Sequence, residues 1–195
     1  MACHAQATEG IKNAVRAGVD TVEHGSFLDE EGAALMKEAG TLLVPTISVL
    51  YLYVHKGPDV GVPVWVVEKF KGDLDAHIES VKLALETGIP VSVGSDSGHS
   101  FNPQSVIAVE LELMVKTGFT PMQALVAATA NGARAIGLDN AGELVSGKLG
   151  DVLVVNGQPL DDIRVLQDCG RLERVYQGGR LVAGSAAPRD ELETI

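Results

Sequence analysis

His4, His24 and Asp96 are the residues of this chain whose types and positions best suit chemistry. Each closes a short apolar run: Met-Ala-Cys-His (1–4), Val-Asp-Thr-Val-Glu-His-Gly (19–25) and Ile-Pro-Val-Ser-Val-Gly-Ser-Asp-Ser-Gly (89–98). If the runs are parallel strands, all three side chains emerge at one carboxyl-terminal edge, where α/β proteins bind ligands and perform reactions. Two imidazoles and a carboxylate suit a Zn²⁺-type ion of the kind that activates water for hydrolysis. Each residue also has a plain structural alternative. His4 could be a histidine near a chain terminus, His24 a loop histidine and Asp96 a helix N-cap. Their shared register at three strand ends favours the metal reading.

The elements that must position these residues follow one grammar: a polar-capped helix, a glycine stop, then a β-branched run. Gln6 to Ala17 reads as a helix with Ile11, Ala14 and Val15 on its inner side, ended by Gly18. Asp29 to Ala39 reads as a second, with Asp29 as N-cap, Leu35, Met36 and Ala39 inward, and Gly40 as its stop. A longer helix runs from Pro63 to Thr87 before Gly88. Left-handed glycine just past a helix is a common terminator. Strands are expected at Val19–Glu23, Leu42–Ile47 and Pro90–Gly94, each nearly continuous in apolar residues, as in parallel strands covered on both faces. With the stub before His4, the expected fold is α/β, with about four parallel βα units.

Two further helices are expected over 103–117 and 121–137, the second opened by Thr120-Pro121-Met122-Gln123, a capping box with proline at the first position. From about residue 141 the style changes. Segments 147–155 and 173–182 read as strands joined by glycine turns. The expected domains are therefore an α/β part over 1–140, a β element over 141–184 and a tail over 185–195.

Composition excludes several classes. The chain has 195 residues and a net charge of −11, with its 15 lysines and arginines scattered, so no basic face is available for nucleic acid. No apolar run of ~18 residues could span a bilayer, so no membrane partner is expected. Cys3 and Cys169 form no Cys-x-x-Cys pair, and a reduced cytoplasmic setting is the default.

At this point the motifs resemble a known family. His4 to Gly25 resembles the strand-five to strand-six stretch of the amidohydrolase superfamily, nearest its imidazolonepropionase-like and Xaa-Pro-dipeptidase-like members. Gly94-Ser95-Asp96-Ser97-Gly98 resembles the strand-eight aspartate motif, and Gly147 to Val155 the return into a β-sandwich. The resemblance runs from residue 2 to about 184. It implies a (β/α)₈ TIM barrel with one or two divalent metals, zinc foremost. His4 and His24 would then be ligands, and Asp96 both ligand and general base. It further implies hydrolysis of C–N bonds in small amides, cyclic amides or dipeptides by metal-activated water. The strand-one His-x-His has no counterpart, since the histidines are 4, 24, 55, 77 and 99, and the strand-four lysine is also missing. A whole barrel takes ~250 residues. The chain is thus expected to be a partial barrel, the C-terminal half of a longer enzyme, followed by a small β-sandwich segment.

Other residues are weighed alongside. Tyr51, Tyr53 and His55 are expected on a loop over the site, where Tyr53 could hydrogen-bond substrate. His99, three residues past Asp96, could touch substrate too. His77 is expected at the surface, Trp65 and Phe70 in a core or interface, and Glu110 and Glu112 on a solvated helix edge. Two alternatives to a complete hydrolase stand: a catalytically silent half-barrel stable as a homodimer, because open strand edges pair with other chains, or one subunit of a split hydrolase. A homo-oligomer, or a partner supplying the missing barrel half, is therefore expected.

Overall fold

A computed structural model describes residues 1–98, 102 and 107–186. It is an α/β structure with one parallel and one antiparallel sheet. The parallel sheet holds β1 (Ala2–Ala5), β2 (Thr21–His24) and β3 (Leu42–Val44) in that order. Their register sets Ala5 against His24 and Glu23 against Val44. The crossovers are α1 (Thr8–Arg16) and α2 (Glu30–Ala39). Both helices bury an apolar stripe on the sheet. Ile11 and Met36 are wholly enclosed, each contributing about 2 kcal/mol of transfer free energy. In α2, Met36 is buried and Leu35 half-buried as expected, but Ala39 is exposed and Ala33 takes the inward place. Asp29 caps α2 through Gly32 N–H at 2.8 Å, and Gly40 ends it with φ 69°.

Two expectations about the sheet need correction. The third strand stops at Val44 and not at Ile47, because the helix α3 (Ile47–His55) begins there. The fourth strand expected over Pro90–Gly94 reduces to a parallel bridge between Leu43 and Val91, held by Leu43 N–H to the Pro90 carbonyl and Ser92 N–H to the Leu43 carbonyl. Beyond it, Gly94 lies so close to β3 that a Cβ there would come within 2.6 Å of Val44 Cγ1.

The long helix α4 (Val64–Thr87) matches its expected span and is stopped by Gly88 at φ 77°. Trp65 on it is 73% exposed and belongs to no core. The helix α5 (Ile107–Thr117) covers the described part of the expected 103–117 segment. The capping box at Thr120 is formed as expected, but the helix it opens is broken at Thr129 (φ −113°, ψ −85°) into α6 (Pro121–Ala128) and α7 (Ala130–Ala135). The second sheet is antiparallel, with β4 (Val152–Val155), β5 (Leu172–Gln177) and β6 (Arg180–Ala183) in order. Of the tail, 187–195 lie outside the described residues. Among the described residues no helix is long and apolar enough to cross a membrane. Both cysteines are free.

Candidate functional site

At the carboxyl ends of the parallel strands lies a cleft of about 200 Å³. His4, His24, Thr46, Ser26, His77 and Asp96 form its polar lining, and Val49, Leu50, Tyr53 and Phe70 its apolar wall. The three expected chemical residues thus face one space. Three strand ends deliver them: His4 from within β1, His24 as the last residue of β2, and Asp96 from the segment after the Val91 bridge.

Backbone strain marks the same place. Among the described residues, the non-glycine residues with positive φ are His24 (69°), Thr46 (55°) and Asp96 (45°), and all three line the cleft. The left-handed region costs a non-glycine residue on the order of 1 kcal/mol or more and persists where surrounding structure enforces it, often at functional sites. Gly25 follows His24 with φ 65°, and a Cβ on it would meet Leu43 Cδ1 at 2.5 Å, so only glycine lets β2 turn there.

His24 is buried, and its Nδ1 lies 2.7 Å from Thr46 Oγ1. Its ring stands edge-on to that of His4, with centroids 4.5 Å apart and planes at 72°. Burial, and secondarily the neighbouring His4, push the His24 pKa down, while Asp96 pulls it up. A neutral imidazole is the form that ligates a metal. Asp96 itself is exposed. Its loop is clipped by the buried Asn102, whose Nδ2 donates to the Ser95 carbonyl at 2.9 Å and the Asp96 carbonyl at 3.1 Å.

The fit to a metal is partial. Two imidazoles side by side are a suitable donor pair, but among the described residues no three His, Cys, Asp or Glu side chains converge closely enough to hold an ion.

Of the other expected residues, Tyr53 lines the cleft, but from α3 and not from a loop, with its ring 4.7 Å from that of Phe70. Tyr51 and His55 lie on the same helix and pair with each other at 4.2 Å. His99 lies outside the described residues.

Two expectations fail for one reason. His77 is not at the surface: it is 1% exposed, with Nδ1 3.0 Å from Ser26 Oγ, and burial pushes its pKa down to about 4 against a weaker upward pull from the Pro45 carbonyl. His77 Nε2 makes no hydrogen bond of normal geometry. Glu110 is not on a solvated edge either. It is wholly buried, burial pushes its carboxyl up to about 7, and it accepts from the N–H groups of Ile47 and Ser48. The signal was present in helical spacing. His77 shares a stripe with Leu74, Val81 and Ala84, and Glu110 one with Leu113, Met114 and Thr117, all buried. Glu112 keeps a partly exposed position, paired to Lys116 at 2.7 Å.

A larger cavity of about 500 Å³ opens at the other end of the strands, among Asp20, Thr41 and Arg134. It lies at their amino-terminal ends, which in parallel α/β sheets serve stability and not chemistry.

Comparison with known proteins bears on the family of the chain. The sequence pattern of the Amidohydrolase family matches residues 1–182. Ochratoxinase of Aspergillus niger is 33% identical over 188 residues, covering 94% of this chain and 38% of that protein. Imidazolonepropionase of Shewanella baltica is 31% identical over 148 residues, covering 73% and 30%. A Xaa-Pro dipeptidase crystallised with methionine in its active site superposes with a TM-score of 0.82 at 34% identity, covering 94% of this chain and 44% of that one. The chain therefore spans less than half the length of the relatives it matches. With that pattern extending over nearly its whole length, the chain belongs to the amidohydrolase family.

Proposed function

We propose that the intact protein is a metal-dependent hydrolase of C–N bonds in small amides, cyclic amides or dipeptides. The observation that carries this reading is the meeting of His4, His24 and Asp96 in one strained cleft at the strand ends. Membership of the amidohydrolase family and likeness to a dipeptidase support it. We further read residues 1–140 as half of a (β/α)₈ barrel and 141–184 as a strand return of a composite β-sandwich. The setting is cytoplasmic, in keeping with the free Cys3 and Cys169.

His4 and His24 would hold the ion, zinc by donor type, with further donors from outside these residues. When bound, a divalent ion lowers the pKa of water toward neutrality and polarises the amide carbonyl. Asp96 accepts the proton of the attacking water and returns it to the leaving amine, the work of a general base turned acid. Val49, Leu50, Tyr53 and Phe70 pack against the apolar part of the substrate and thin the water around the reacting bond. Tyr53, on that wall, would hydrogen-bond substrate.

In the intact protein, Asp96→Asn should abolish dipeptide turnover and leave the circular dichroism spectrum unchanged. Retained turnover would overturn the reading. Chelation should likewise remove activity, and added Zn²⁺ should restore it. Turnover that survives exhaustive chelation would refute the metal's part in it.

A further inference from the structure

Among the described residues, Glu110 is the one carboxylate enclosed completely, and the proposed reaction gives it nothing to do. Its Oε1 accepts from Ile47 N–H at 2.7 Å and its Oε2 from Ser48 N–H at 2.6 Å. These amides open α3, where unpaired N–H groups and the helix dipole favour an anion. Burying a carboxylate is costly, and a cheaper cap was at hand. Thr46 occupies the N-cap position of α3, and a threonine hydroxyl there ordinarily accepts from the first turn. It makes no such bond. Its hydroxyl is turned instead to His24 Nδ1, at 2.7 Å. A residue 63 positions along the chain therefore caps the helix that Thr46 leaves uncapped.

We propose that Glu110 is a positioning residue of the cleft: by clamping the first turn of α3 it holds Thr46 left-handed, with its hydroxyl on His24. The hydroxyl accepts from His24 Nδ1–H, which keeps Nε2 deprotonated and free to bind. Ligating histidines characteristically donate their second nitrogen in this way. Thr46 is β-branched, and φ 55° is unfavourable for it without such a clamp. The proposal rests on His24 being the binding imidazole, but its test needs neither metal nor activity.

Long-range ¹H–¹⁵N spectra of the ¹⁵N-labelled chain read the His24 tautomer directly. The Nδ1–H form should dominate in the wild type. Glu110→Gln turns an NH₂ toward one of the two amides, so the His24 signals should move toward an average of both tautomers while those of His77 stay. Thr46→Val removes the acceptor and should produce the same displacement. The double variant should go no further than either single one. An unchanged His24 in Glu110→Gln, or effects that add in the double variant, would overturn the proposal. Should Glu110→Gln not fold, Glu110→Asp, which withdraws the carboxylate by one methylene, takes its place with the same two outcomes. Turnover retained in Asp96→Asn would bear on the proposed reaction and leave this spectroscopic result intact.

Discussion

Glu110 and His77 are buried ionisable side chains whose pKa values burial drives in opposite senses, from 4.5 up to about 7 and from 6.5 down to about 4. For Glu110 the folded state holds the proton more tightly than the unfolded chain, so stability falls as pH rises from about 4.5 to 7. For His77 the unfolded chain binds the proton more tightly, so stability falls as pH drops from 6.5 to about 4. Each swing is on the order of 3 kcal/mol, and over their shared interval the two slopes cancel. Glu110 should therefore offset the acid loss that His77 imposes on the wild type between pH 4.5 and 6.5 in urea titrations, leaving the loss due to the lowered His24. Glu110→Gln leaves only the histidine slope and should become acid-sensitive. His77→Gln leaves the glutamate slope opposed by His24 alone and should lose stability toward neutrality. Parallel pH profiles for all three proteins would contradict the assignment.

Elements whose signals are local were readable from the sequence. Asp29, Gly40, Gly88 and the Thr120–Gln123 box sit within a turn of the helix ends they set, and each does so. What failed depended on distant partners. Thr46 is a capping residue by type at the start of α3 but makes no cap, and the carboxylate that does cap the helix comes from α5. Equally, nothing local shows that the fourth strand shrinks to one bridge between Leu43 and Val91. The three ends bearing His4, His24 and Asp96 were legible. The strained turns that aim His24 and Asp96, and the Thr46 contact beneath His24, were not. Local and tertiary determinants should also separate in denaturant. Thr120→Ala loses one cap and should cost about 1 kcal/mol. Gly94→Ala forces a methyl group within 2.6 Å of Val44 Cγ1, and overpacking of this kind costs about 1–3 kcal/mol. Gly25→Ala adds the strain of φ 65° to a 2.5 Å clash with Leu43 and should cost more than either. If Gly94→Ala proved milder than Thr120→Ala, β3 would be more accommodating than its packing implies.

At the scale of the whole molecule, the parallel sheet ends with backbone to spare. Among the described strands, β1 has a neighbour on one side only, and past β3 a single bridge stands where a strand was expected. Unpaired strand edges are templates for further pairing. Apolar side chains are also left in solvent beside the second sheet, with Leu144 79%, Val145 58% and Leu153 46% exposed. From both features we propose that the chain pairs with another copy of itself or with a partner bearing the other barrel half. Its charge of −11 works against self-association, since like charges repel as copies approach. Salt screens that repulsion, with a Debye length of about 8 Å at physiological ionic strength, while leaving backbone pairing and apolar contact in place. Light scattering should therefore give a mass of at least two 20.4 kDa chains, rising with added salt. An assembly held by ion pairs would instead dissociate as salt rises. A salt-independent mass of one chain would overturn pairing at these edges.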